Sequence, residues 1–299
     1  MEIIDLLTES PLFLLIICTV LGLLVGSFLN VVVYRLPIML QREWREQCCD
    51  YLEIENTIPD SNESSAKFTV FNLQKPDSHC PLCNHKIRAW ENVPVLSFVF
   101  LGGKCSNCKA KISIRYPTVE FVSGVLSGLV ASYFGATWLT LALLFFTWSL
   151  IALTLIDFDQ QLLPDNITLP LLWLGLLVNT LDLGSGVTLR DAVIGAIAGY
   201  IVLWSFYWAF KLATGKEGMG YGDFKLLAAL GAWMGWQSLL PIILLSSLVG
   251  AIFGIGMILF MGRDKSVPMP FGPFLAGAGF ISVIWGPQLS AFYMNTFIG

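Results

Sequence analysis

The chain has 299 residues, of which 56% are hydrophobic and only 13% are charged. Soluble domains carry roughly twice that share of charged residues, so the composition excludes an ordinary soluble protein and indicates one that crosses a membrane several times. The formal net charge of −4 argues against a nucleic-acid partner, because binding phosphates requires a basic surface.

The first apolar segment, Pro11 to Tyr34, is long enough to cross a hydrocarbon core of roughly 30 Å as a helix. Acidic residues precede it, and it exceeds the usual length of a signal-peptide core, so we expect a retained membrane helix. Seven further apolar segments follow, of which 224–235 is short. They cover residues 118–134, 137–156, 167–182, 191–210, 224–235, 238–261 and 271–288.

A polar region at residues 35–117 separates the first two apolar segments and holds eleven of the seventeen Lys and Arg residues. Because cytoplasmic loops carry the positive excess, this region is expected in the cytoplasm. Counting crossings from there places sixteen basic residues inside and only Arg190 outside. The sequence therefore predicts an all-α polytopic protein of about eight transmembrane helices with both termini periplasmic. We divide it into a first transmembrane helix (1–34), a cytoplasmic domain (35–117) and a seven-helix domain (118–299).

Four of the seven cysteines form two Cys-x-x-Cys pairs, and each pair continues as Cys-x-x-Cys-x-x-x-Ile. Two residues between thiolates let one turn present both sulfurs to one ion, and two such turns complete a tetrahedral Zn²⁺ site. Disulfides and free thiols are the alternatives, although stable disulfides are rare in the cytoplasm. A closed four-thiolate site is structural, so neither His79 nor His85 is needed as a ligand. The predicted metal ligands are Cys80, Cys83, Cys105 and Cys108.

Acidic residues lie at the cytoplasmic ends of two predicted spans, and ionisable groups at such positions are functional candidates. Asp157 and Asp159 end the third span, and Asp223 follows a glycine-rich stretch at the start of the sixth. Two carboxyl groups brought together share a proton, so one can activate water while the other donates, as in aspartyl proteolysis. Asp157 directly follows the apolar run and is favoured over Asp159, while Asp165 is interpreted as a helix N-cap with Asn166 as rival.

The glycines before Asp223 are compatible with two interpretations, as part of a peptide-binding site or as an ordinary solvent-exposed loop. Composition alone does not distinguish between them. As part of a site they would let the backbone approach an extended peptide. A nucleotide loop is excluded, because Gly218 to Gly222 has neither a preceding strand of the dinucleotide-binding type nor a following Lys-Ser/Thr.

Nearly end to end, the chain resembles the bacterial type IV prepilin peptidases, which also serve type II secretion pseudopilins. The resemblance is carried by four stretches: Gly26 to Val32 with Tyr34 to Pro37, the double cysteine motif, Ile156-Asp157 through Leu163-Pro164-Asp165, and Gly218 through Lys225 with its Gly-x-Gly-Asp element Gly220-Tyr221-Gly222-Asp223. The last element is also similar to that of presenilin-like intramembrane proteases. The cysteine motif and Leu-Pro-Asp favour prepilin peptidase.

This resemblance implies an inner-membrane aspartic endopeptidase in which Asp157 and Asp223 are catalytic. It implies prepilin and pseudopilin substrates in the lipid bilayer, cut after a short basic leader, and N-methylation of the new N-terminal residue by S-adenosylmethionine. The methyl-donor residues are unknown from sequence, with Trp90 to Pro94 and Gly102 to Lys104 as candidates. Residues 53–66 look like a variable insertion. The substrate prepilins and the oligomeric state do not follow from the sequence.

Two other functions compete with this reading. A transporter could use acids at helix ends to carry ions, although no inverted repeat is evident and both acid clusters face one side. A membrane methyltransferase without protease activity is the third hypothesis.

Overall fold

The computed structural model describes residues 9–54, 71–261 and 269–297. Across these ranges the chain is helical, with only isolated β-bridges at the cysteine pairs. Short 3₁₀ turns cover Ala89–Asn92 and Trp236–Ser238. The α-helices of the described ranges are α1 (Pro11–Tyr51), α2 (Leu96–Phe100), α3 (Arg115–Phe134), α4 (Trp138–Gln160), α5 (Asp165–Thr180), α6 (Leu189–Thr214), α7 (Tyr221–Met234), α8 (Leu239–Met261) and α9 (Gly272–Phe297).

Each of the eight apolar segments identified in the sequence coincides with a helix of the structure. Four stretches in the described residues are long and apolar enough to cross a membrane: α1, α4, α6 and the region Trp236–Leu259. A shorter apolar helix covers Gly272–Gly286, and the non-helical backbone of Trp285 near its end kinks α9. The part of the chain that the structure describes is thus all-helical, with several apolar helices.

Helix α1 is much longer than the predicted first span. It passes Tyr34 and Pro37 without a break and ends at Tyr51. Proline inside a helix removes one backbone hydrogen bond, yet the residues that follow Pro37 are strong helix formers such as Leu40, Glu43 and Glu46. The expected variable insertion at 53–66 falls for the most part on 55–66, outside the described residues.

The chain divides into two compact units. One contains residues 15–128, with most of α1, the cysteine pairs, α2 and most of α3. Here α1 and α3 cross closely, because a Cβ at Gly26 would lie 2.7 Å from the Cα of Glu120. The other unit contains residues 1–14 and 129–299, with α4 to α9.

The core of the second unit surrounds α7, whose residues from Asp223 to Trp233 are almost all buried. Helices α6 and α7 touch through backbone, since a Cβ at either Gly195 or Gly231 would collide with the other's carbonyl. Helix α5 is fixed to α7 by the indole of Trp233, which donates to the Leu171 carbonyl at 2.9 Å. This packing holds the first turn of α7 in a fixed place between its neighbours.

Candidate active site and metal centre

Asp157 and Asp223 lie in the same unit and are both buried, at 5% and 6% exposure. Asp157 sits in the last turn of α4, which ends when Gln161 adopts a left-handed conformation with φ 51°. Asp223 sits in the first turn of α7, where its Oδ2 accepts a hydrogen bond from the Gly220 N–H at 3.2 Å. The two carboxyl groups interact electrostatically, so the structure brings together the two acids favoured by the sequence.

Gly272, at the start of α9, is the third component of this site. Its backbone N–H donates to Asp157 Oδ2 at 3.0 Å. A Cβ at this position would lie 2.6 Å from that same oxygen, well inside van der Waals contact, so only glycine allows this approach. The sequence analysis missed Gly272, because a backbone donor leaves no side-chain signature. Its neighbours Pro270, Phe271 and Pro273 mark a break before α9 that could have drawn attention.

Leu163 joins the pieces of the site. This buried side chain lies in the short connection between α4 and α5. A Cβ at Gly222 would lie 2.6 Å from the Leu163 Cβ, and a Cβ at Gly272 would lie 3.1 Å from its Cδ2. Leu163 therefore packs between the glycine that precedes Asp223 and the glycine that contacts Asp157. The glycines of both segments allow close approach, which decides against a merely solvent-exposed loop at Gly222.

One oxygen of the pair differs from the others. Asp223 Oδ1 is buried and has no hydrogen-bond partner among the described residues. A buried carboxylate oxygen without a donor is costly when ionised, whereas a protonated carboxyl group can itself act as donor. The arrangement thus favours a proton on Asp223 and the charge on Asp157, whose Oδ2 receives the Gly272 N–H.

Two further acids of these clusters lie outside the pair. Asp159 is exposed near the end of α4, as expected for a residue two positions beyond a buried one on a helix. The predicted N-cap role of Asp165 is wrong: Pro164 holds the cap position and Asp165 is the first helical residue. Its carboxylate instead receives Lys225 Nζ at 2.7 Å on both oxygens, an ion pair between α5 and α7.

The two cysteine pairs are structural copies of each other. The N–H of Cys80 donates to the His85 carbonyl at 2.9 Å, and that of Cys105 donates to the Ala110 carbonyl at 2.8 Å. The turn residues Asn84 and Lys109 occupy matching positions with φ 55° and φ 60°. The bridges His79 to Lys86 and Lys104 to Lys111 close the two turns. The repeated sequence pattern therefore corresponds to a repeated fold.

The four sulfur atoms converge on one point. All of them lie within 4.8 Å of one another, with Cys80 to Cys108 at 3.7 Å and Cys83 to Cys105 at 3.9 Å. A hydrogen bond from the backbone N–H of His85 lowers the pKa of the Cys83 thiol to about 6. The Ala110 N–H also favours the thiolate of Cys108, yet the crowded neighbouring sulfurs raise its pKa to about 11. Four ionised thiols here require a cation, so the cluster fits a metal ion.

Neither histidine belongs to this cluster. The His85 ring lies 3.3 Å from a carboxylate oxygen of Glu91, and the His79 ring lies 3.0 Å from the Asp77 carbonyl. The Arg88 N–H donates to the same Glu91 oxygen at 2.9 Å and holds the pKa of that carboxyl at about 2. His85 therefore helps to position the segment that follows the first cysteine pair.

The two stretches suggested for the methyl donor have packing roles. Gly102 and Gly103 take positive φ angles of 60° and 67° as they close α2. A Cβ at Gly103 would lie 3.0 Å from the ring of Phe98. Trp90 stacks with the Arg88 guanidinium at 5.3 Å. These contacts fix the turn that follows α2 and hold the Trp90 indole beside Arg88.

Comparison with known proteins covers most of the chain. Residues 20–134 match the bacterial peptidase A24 N-terminal domain, and residues 144–255 match the type IV leader peptidase family. A protein named prepilin leader peptidase/N-methyltransferase from Stutzerimonas stutzeri is 53% identical over 98% of both chains. A protein of the same name from Aeromonas salmonicida is 57% identical over 93% of this chain and 92% of its own. Another from Pseudomonas aeruginosa is 52% identical over 99% of this chain and 98% of its own.

No solved structure shows a significant match to the chain. The relatives are aligned along nearly their whole length, so the aligned region spans the segments that hold the cysteine motif and the acid-bearing helices. The chain belongs to the type IV leader peptidase family.

Proposed function

We propose that this protein cleaves the leader peptide from type IV prepilins by an aspartyl mechanism and then N-methylates the residue so exposed. Membership of the leader peptidase family and the shared name of its relatives support both activities. The single observation that carries the mechanism is the pair of buried carboxyl groups, Asp157 in the last turn of α4 and Asp223 in the first turn of α7.

In the proposed mechanism Asp157 is the ionised base. It takes a proton from a water molecule, whose oxygen forms a bond to the scissile carbonyl carbon. Asp223 donates its proton to the carbonyl oxygen, which gives a tetrahedral diol. The peptide C–N bond then breaks as Asp157 passes the proton taken from water to the leaving amine, and a diol hydroxyl returns a proton to Asp223. The Gly272 N–H stabilises the charge on Asp157 before attack, and the unpartnered Asp223 Oδ1 is the oxygen available to donate.

Methylation follows on the amine released by this cleavage. When bound, S-adenosylmethionine would supply the methyl group from its sulfonium, which would leave as a neutral thioether. The free amine of the new N-terminal residue would accept the methyl group and release one proton. If methylation uses a separate site within residues 35–117, a substrate supplied already cleaved should still be methylated when Asp157 or Asp223 is changed to Asn.

The cysteine cluster is proposed to hold one structural Zn²⁺. Four thiolates fill a tetrahedral shell and leave no open position for substrate. The near-identical turns support this role, because each supplies two ligands from the same backbone geometry. Zinc would thus stabilise the region between α1 and α3.

We further propose the membrane placement. The protein lies in the bacterial inner membrane with about eight spans, residues 35–117 in the cytoplasm and both termini in the periplasm. The proposed domains are the first transmembrane helix (1–34), the cytoplasmic domain (35–117) and the seven-helix domain (118–299). Pseudopilins of type II secretion are proposed as additional substrates. The asymmetry of Lys and Arg supports the orientation. A cysteine introduced at Ser61, outside the described residues, should resist membrane-impermeant reagents in intact cells.

Weighing the products tests the two activities together. Purified protein in detergent is incubated with a prepilin and S-adenosylmethionine, and the pilin is analysed by mass spectrometry. We expect loss of the leader and gain of one methyl group. A product that gains a methyl group with its leader retained, or one unchanged in mass, would contradict the proposal.

A further inference from the structure

Helix α2 exposes an apolar face in the cysteine-containing unit. Leu96, Val99 and Phe100 are 56%, 68% and 86% exposed. They are three and four residues apart, so they lie on one side of the helix. Phe98 points elsewhere and packs its ring against Gly103, as the 3.0 Å approach of a Cβ there shows. The helix is therefore anchored by Phe98 and presents the other three side chains outward.

This face is fixed beside the polar ends of two apolar helices. The Val95 N–H, just before α2, donates to Glu120 Oε2 at 2.8 Å, and Glu120 is a buried residue of the second turn of α3. At the same level the Asn30 amide of α1 donates to the Tyr116 carbonyl at 3.2 Å. The start of α2 is thus held near the point where α1 and α3 pass from polar to apolar sequence.

The surrounding sequence is basic. Residues 80–117 contain six Lys and Arg residues and a single acid, Glu91. The Glu91 carboxylate already accepts the Arg88 N–H and contacts His85. Trp90, 67% exposed beside the Arg88 guanidinium, adds an aromatic group of the kind that favours the headgroup region of a bilayer. Apolar side chains flanked by cations match an anionic lipid surface.

We propose that the face of Leu96, Val99 and Phe100, together with Trp90, inserts into the interfacial layer of an anionic phospholipid bilayer. Insertion holds the cysteine cluster against the membrane surface. A bilayer is favoured over a protein partner because the start of α2 is tied to α3 near the polar ends of α1 and α3 and the surrounding sequence is basic. A second copy of this chain is the competing occupant and is distinguished by the test.

The test uses the full chain with p-benzoylphenylalanine in place of Phe100, reconstituted in vesicles of phosphatidylcholine and phosphatidylglycerol. Gln47 is the matched control position, because it is exposed on α1 and lies roughly 25 Å along that helix from Asn30. After illumination, peptide mass spectrometry identifies the adducts. We expect roughly tenfold more lipid adduct at position 100 than at position 47. We also expect less adduct in vesicles of phosphatidylcholine alone.

A second variant separates insertion from chance proximity. Val99→Glu, made in the chain that carries the photoreactive residue at position 100, should reduce the lipid adduct severalfold, because a carboxylate opposes insertion among anionic headgroups. Gln47→Glu should leave the adduct at position 100 unchanged. Equal lipid labelling at positions 47 and 100, or crosslinking of position 100 mainly to a second copy of the chain, would overturn the proposal.

Discussion

Replacing Gly272 by alanine tests how the backbone shapes the acid pair. The new Cβ would lie 2.6 Å from Asp157 Oδ2, 3.1 Å from Asp157 Cγ and 3.1 Å from Leu163 Cδ2. Overpacking of this kind typically costs about 1–3 kcal/mol. Asp157 and Leu163 are both buried, so neither can simply swing into solvent. The carboxyl group must move, and the hydrogen bond from Gly272 to Asp157 lengthens.

If that strain falls on the transition state, kcat for leader cleavage should drop by roughly ten- to a hundredfold, at about 1.4 kcal/mol for each factor of ten. KM should change little, because the contact is to the acid rather than to the leader. The assay is prepilin cleavage in detergent, with protein level and thermal unfolding measured on the same preparation.

Gly277→Ala is the control, since it lies on the same helix and a Cβ there meets no atom within 4 Å. Alanine at this helical position should keep full activity and leave stability equal or slightly higher. Wild-type kcat in Gly272→Ala, at normal protein level, would refute the claim that this contact positions Asp157. An equal loss in both variants would show a general effect on α9 instead.

Three further predictions concern the elements around the site. Purified protein should carry about one zinc per chain by metal analysis. The Cys80→Ser variant should lose the metal and become more sensitive to protease. A zinc content near zero in unchelated protein would contradict a metal site. Lys225→Met should lower the free energy of unfolding by only about 0–1 kcal/mol, because its pair with Asp165 is partly exposed; a larger loss would show that solvent does not screen the pair. Gly231→Ala should lower the free energy of unfolding by about 1–3 kcal/mol, because the new Cβ would collide with the backbone of α6. An unchanged melting temperature would refute the close crossing of α6 and α7.

The helices could be predicted from the sequence because membrane-length apolar runs are an unusually strong signal. Their ends could not. Helix α1 continues past Tyr34 because its polar continuation is made of helix formers, which hydropathy does not detect. Asp165 was assigned to a cap from local sequence alone, whereas its partner Lys225 lies sixty residues away.

The candidate site likewise combines features that the sequence predicts with contacts that it does not. Its place directly after an apolar run favours Asp157 over Asp159 in the sequence, and of these two acids the structure buries only Asp157. The contacts that shape the pair come from Gly272 and Leu163, which bring a backbone N–H and a hydrocarbon side chain. Neither group is chemically conspicuous in a sequence. They can be identified only once tertiary packing has brought α9 and the α4–α5 connection together.

The most direct test of the central claim is prepilin cleavage by Asp157→Asn and Asp223→Asn, with Asp159→Asn as the matched control. Asparagine keeps the size of each side chain but cannot ionise, so each of the first two variants should lose cleavage completely at normal membrane level and zinc content. Asp159→Asn should stay active. Full cleavage by Asp223→Asn would remove the aspartyl mechanism, and an active Asp157→Asn beside an inactive Asp159→Asn would move the catalytic role two residues along α4.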